Sequence, residues 1–168
     1  MARDKQRNTA AEVLKRVEAK IAWLEEHPYV KLRIGDIYDE FSIFDWWPEY
    51  LSKSHLQKMR QFLREAIKLG YGGYVCFKVG ATGCANGMWA HTELETDAGY
   101  SPNHCPCLYR SFTPAYTYWS VTNTAGEWEW AGQYPDGGTH NQHYADLKTI
   151  KQLEAYIDEH PECYRKGR

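Results

Sequence analysis

The chain has 168 residues, 43% of them hydrophobic and 15% aromatic, enough for one compact domain or two very small ones with a buried core. A formal net charge of −2 argues against a generic polyanion binder, and no apolar run approaches the roughly 20 residues of a membrane span. The polar start, from Met1 to Asn8, has no signal-peptide apolar region, so a cytoplasmic location is expected, and five cysteines there point to free thiols or a metal site before disulfides.

In chain order, Thr9 and Glu12 have capping-box spacing, and Leu14, Val17, Ile21 and Leu24 follow at helical intervals up to His27 and Pro28. This predicts a long first helix whose apolar stripe packs inward or forms a dimer seam. Ile34, Ile37, Tyr38 and Phe41 predict a short second helix over residues 33–41. A connection over 42–51, with Trp46, Trp47 and Pro48, leads to a third.

That third helix, predicted over 54–69, is amphipathic. Leu56, Met59, Phe62, Leu63, Ala66 and Ile67 share one face at about 100° per residue, while Lys53, Gln57, Arg60, Arg64 and Lys68 cluster on another. Ser54 and Gln57 have capping-box spacing, and Gly70 is a left-handed stop. Lys53, Lys58, Arg60, Arg64 and Lys68 against Glu65 give residues 51–70 a charge of +4 and leave −6 for the rest. A basic patch on an acidic body suits a positioned anionic partner.

Next come the β-formers Tyr74 to Val79, a glycine-punctuated loop over 80–87 and a returning strand over 88–94. Gly99, Pro102 and Pro106 mark 95–107 as a loop or linker. Beyond it, strands are predicted over 108–112, 116–121 and 127–131, with a turn at 123–126 and a long polar loop over 133–143. Leu147, Ile150, Leu153 and Ile157 predict a last helix ending at His160 and Pro161, followed by a loose tail.

The predicted class is α+β, with parts at 9–94 and 108–160 and a tail at 161–168. The order helix, helix, hairpin over 9–94 resembles the winged helix-turn-helix superfamily, with 33–41 as the short second helix and 54–69 in the recognition position. The connection over 42–51 is longer than that pattern's tight turn. The resemblance implies a nucleic-acid-docking role for Lys53, Gln57, Arg60, Arg64 and Lys68, with a minor contribution from Lys78 on the wing. The Tyr- and Trp-rich strands followed by the helix over 146–158 resemble small accessory domains of bacteriophage and mobile-element proteins, which implies binding to other proteins.

Other residue groups offer chemistry. Arg and Lys at successive helical turns can contact phosphates, and Gln57 or an arginine can read base edges. Against this stand an uncharged loop at 80–87 and the acidic Asp36, Asp39 and Glu40, which keep an acidic protein or nucleoprotein surface in play. Cys84, His104, Cys105 and Cys107 form a candidate structural zinc site, with Cys76 and His91 also in the hairpin, although the Cys-Pro-Cys spacing is tight. Cys105 or Cys107 is also a candidate nucleophile, and His140 with His143 a weaker metal pair. Cys76, between Val75 and Phe77, reads as core. Trp46, Trp47, Trp128 and Trp130 are candidate aromatic contacts for bases or a protein partner. No phosphate loop, HExxH or GxSxG motif is present. The expected function is therefore non-catalytic binding through the basic helix; the alternatives are a phage-type inhibitor docking on a host protein and a small metal- or thiol-dependent enzyme.

Overall fold

A computed structural model of the chain describes residues 8–33, 44–46, 50–79, 88–95, 106–113, 116–122 and 145–165. Helix α1 (Ala10–Glu26) leads to the short strands β1 (Leu32–Arg33), β2 (Phe44–Trp46) and β3 (Tyr50–Leu51), then to helix α2 (Lys53–Lys68). Strands β4 (Val75–Val79), β5 (Met88–Glu93), β6 (Cys107–Thr113), β7 (Tyr116–Thr122) and β8 (Ala145–Leu147) precede helices α3 (Ile150–Glu159) and α4 (Pro161–Tyr164). The class is α+β.

The two long helices form where the apolar spacing requires them. α1 buries Ala10, Val13, Val17, Ile21 and Leu24, and α2 buries Leu56, Met59, Phe62, Leu63 and Ala66. Each large side chain so buried contributes about 1.5–3 kcal/mol of transfer free energy. The start of α2 lies two residues ahead of the expected cap: Ser52 is the N-cap, and His55, not Gln57, completes the box. The His55 N–H donates to Ser52 Oγ at 3.1 Å, and the Ser52 N–H donates to His55 Nδ1 at 3.1 Å. An imidazole nitrogen thus takes the role usually given to Glu or Gln. At the other end Gly70 takes φ 92°, with Gly70 N–H bonded to Ile67 O and Tyr71 N–H to Ala66 O, so the chain leaves the helix through a Schellman turn. Thr9 precedes α1 as expected, but its side chain makes no capping bond.

Among the described residues the main sheet has six strands in the order β2, β4, β5, β6, β7, β8, with β2 parallel to β4 and every other pair antiparallel. β1 and β3 form a separate two-stranded pair. α2 packs across one face of the main sheet, where Phe62 meets Phe77 edge-on at 6.2 Å and stacks on Trp119 at 5.8 Å. Val75, Ala90, Leu108 and Val121 line the same face and are buried. The β4–β5 hairpin expected as a wing is built into this sheet, flanked by β2 on one side and β6 on the other. β5 and β6 pair directly, and Cys107, expected as the end of the loop or linker over 95–107, is the first residue of β6.

Two expectations need correction. Leu147 ends strand β8, and the last long helix begins at Ile150, capped by Thr149 and Gln152 in a reciprocal box. Residues 161–165, the start of the expected tail, are not loose. α4 carries a fully buried Tyr164, and the Arg165 guanidinium donates to the Leu69 carbonyl at 2.9 Å. Ring contacts among Tyr156, His160 and Tyr164 hold the turn between α3 and α4. Of the short helix expected over 33–41, residues 34–41 lie outside the described residues, as do the strand expected over 127–131 and the loop over 133–143; Arg33 belongs to β1.

Candidate functional site

The sheet face turned away from α2 carries the chemistry. Directly paired antiparallel residues share a face, so Cys76, His91, Tyr109 and Ser120 form one row across four strands, and Glu93 and Cys107 belong to the next. His91 and Glu93 are two residues apart on β5 and project to the same side. This face is itself withdrawn from water: Cys107 is fully buried, Glu93 is 8% exposed, and Ser111 and Ser120 are buried.

Its centre is a trio of donors. The ligating atoms of His91, Glu93 and Cys107 all lie within 4.8 Å of one another. His91 Nε2 is 3.0 Å from Cys107 Sγ, and the imidazole stacks on the Tyr109 ring at a centroid distance of 4.9 Å and an angle of 15°. The stack fixes the ring plane and leaves Nε2 aimed at sulfur.

Backbone bonds position the trio. Gly73 N–H donates to Glu93 O at 3.0 Å, Glu93 N–H to Tyr74 O at 3.1 Å, and Leu94 N–H to Pro106 O at 2.9 Å. A Cβ on Gly73 would sit 2.8 Å from Glu93 O, so only glycine allows this approach. The start of α1 is tied to the same corner, with Ala10 N–H on Gly73 O and Val75 N–H on Asn8 O.

Of the expected zinc ligands only Cys107 is in this group; Cys84, His104 and Cys105 lie outside the described residues. Cys76 is half-buried on this face, and so is not part of the core under α2. Sequence reasoning placed His91 near a thiol but missed Glu93. The signal was there in the alternation His91, Thr92, Glu93, which sets two donors on one face of a strand.

The basic residues of α2 are presented to solvent. Lys53, Gln57, Arg64 and Lys68 are exposed and Arg60 is half-exposed. Two of them are engaged by the neighbouring helix: Arg64 pairs with Glu18, and Lys53 Nζ lies 3.9 Å from Glu25. Lys78 lies on β4 inside the sheet and Trp46 on β2, whereas Trp47, Trp128 and Trp130 lie outside the described residues, as do His140 and His143. A cleft of about 770 Å³ opens beside Lys53, lined by Leu24, Pro28, Val30, Leu32 and Leu51. Among the described residues, no helix is long and apolar enough to cross a membrane.

No protein-family model, curated protein or solved structure matches this chain.

Proposed function

We propose that the protein acts by binding and not by turnover, docking the exposed face of α2 on a nucleic acid or a nucleoprotein complex. The observation that carries this reading is the division of α2: Leu56, Met59, Phe62, Leu63 and Ala66 are buried, while Lys53, Gln57, Arg60, Arg64 and Lys68 face outward. Cations at successive turns can follow a line of phosphates. That a β-hairpin follows α2 is in keeping with a winged-helix-like docking mode, with the difference that this hairpin is flanked by strands on both sides.

The test is direct. The double substitution Arg60→Glu with Arg64→Glu should abolish binding to duplex or single-stranded nucleic acid and leave the circular dichroism spectrum unchanged. In the wild type, affinity should fall steeply with salt. Neutralising both arginines with Gln should reduce the log–log salt slope by about 2, near one unit for each phosphate that is no longer neutralised. Undiminished binding of the doubly reversed protein to every anionic partner would sink the reading.

A second reading has its own support. Tyr29 is 97% exposed and Val30 44% exposed beside the cleft and the Lys53 end of the stripe. Apolar and aromatic groups next to cations suit an acidic protein surface, as in a phage-type inhibitor of a host protein. Capture from a lysate that survives nuclease treatment and high salt, and is lost on Tyr29→Ala, favours this reading over the first.

A further inference from the structure

We propose that His91, Glu93 and Cys107 form a binding site for a zinc ion, which links β5 to β6 on the sheet face opposite α2. This site is independent of the α2 docking face and shares only Cys107 with the zinc ligands expected from the sequence, Cys84, His104, Cys105 and Cys107.

The geometry comes first. Tetrahedral zinc, with bonds of about 2.0–2.3 Å, holds its donor atoms about 3.3–3.6 Å apart. Here the three donor atoms fall within 4.8 Å of one another, and the His91 to Cys107 contact is 3.0 Å. A cation therefore needs the tightest contact to open and the widest to close by fractions of an ångström to about one ångström. Side-chain rotation alone can supply that, because all three residues stand on paired strands whose register already aligns them: Glu93 lies directly opposite Cys107, and His91 is one row away.

Chemistry selects the metal. A thiolate, an imidazole and a carboxylate make a borderline-soft set suited to zinc and ill suited to magnesium or calcium, which prefer oxygen ligands throughout. Burial adds to the argument. Glu93 is 8% exposed and Cys107 fully buried, so a cation held between them would be shielded from bulk water. The Tyr109 stack holds the His91 ring with Nε2 inward, which preorganises the nitrogen as ligand. Binding releases the Cys107 thiol proton to solvent, so affinity rises with pH.

The full-length chain, expressed with zinc and desalted, should carry one equivalent by elemental analysis. Cobalt(II) added to the chelator-stripped protein should give a thiolate-to-metal charge-transfer band and the visible bands of a tetrahedral site. Cys107→Ser and His91→Ala should each weaken zinc binding by more than the roughly 10–100-fold that loss of an outer-shell partner costs. Should either variant fail to fold, Glu93→Gln in the folded protein must still shift the visible cobalt bands. Cys84→Ser and Cys105→Ser should each retain the metal. The proposal is overturned if the wild type shows no saturable equimolar zinc or cobalt binding, if Glu93→Gln leaves the cobalt spectrum unchanged, or if binding survives Cys107→Ser and disappears in Cys84→Ser or Cys105→Ser.

Discussion

The Tyr71 hydroxyl donates a 2.9 Å hydrogen bond to the Tyr164 carbonyl, tying the exit of α2 to the last described helix across 93 positions of sequence. Both tyrosines are fully buried, and Arg165 makes a second tie to Leu69. Tyr164→Ala should therefore cost about 3–5 kcal/mol, the range for emptying a buried aromatic site. Tyr71→Phe, which removes one hydrogen bond, should cost about 1 kcal/mol. Urea denaturation of the two variants checks the ranking, and a neutral Tyr164→Ala would show that the C-terminal turn is not part of the folded core.

The cap of α2 makes stability sensitive to pH. His55 Nδ1 accepts from the Ser52 backbone, which requires the unprotonated ring, and burial together with Lys58 holds the His55 pKa below the ordinary 6.5. Just below pH 6.5 the unfolded chain binds more protons than the folded one, so stability is full above that pH and falls as pH drops through it. His55→Gln should keep the box and remove this component of the slope, while Ser52→Ala should cost about 1 kcal/mol at any pH. Thermal melting midpoints across the acid range read both effects; identical pH profiles for wild type and His55→Gln would refute the capping role of the ring.

Glu18 and Glu25 oppose the proposed docking face without adding much to the fold. Their pairs with Arg64 and Lys53 are solvent-exposed, with side-chain exposures of 40% to 60%. Glu18→Gln with Glu25→Gln should change stability by less than about 1 kcal/mol per pair. The same double variant should bind nucleic acid more tightly at low salt, because two more cations become available to phosphate. Binding that stays the same or weakens would count against a phosphate-tracking role for this face.

Arg110 is half-buried in an unusual way. Its guanidinium lies 5.0 Å from the Phe112 ring and 4.8 Å from the Trp119 ring, and Nε and Nη1 are buried without a hydrogen-bond acceptor among the described residues. Burial also lowers its pKa. Two stranded donors cost about 1–3 kcal/mol each, against about 0.5–2 kcal/mol gained from each ring contact. Arg110→Met should thus match or exceed wild-type stability. A loss of more than about 2 kcal/mol would mean that the guanidinium has an acceptor in the folded protein.

Much of the local structure was legible from spacing. The buried stripes of α1 and α2, the stop at Gly70 and the strands on both sides of residues 95–107 follow from periodicities of about 3.6 and 2 and from glycine's access to positive φ. The cap of α2 was displaced by two positions because a histidine can replace Glu or Gln in the box, which a Ser-x-x-Gln pattern does not reveal. The C-terminal turn looked loose because its burial comes from Tyr71 and Leu69, far away in sequence.

The sequence by itself determined that α1 and α2 are helical, that the segments flanking residues 95–107 are extended, and that α2 carries its cations on the side opposite its apolar stripe, because each depends on residues within a turn or two of one another. Only the tertiary structure decided what those residues meet. It placed Glu18 and Glu25 against the basic stripe, enclosed the hairpin in a larger sheet and brought Glu93 opposite Cys107 beside His91. Such pairings depend on strand register and helix docking between distant segments, and a one-residue shift in register would send Glu93 or Cys107 to the other face.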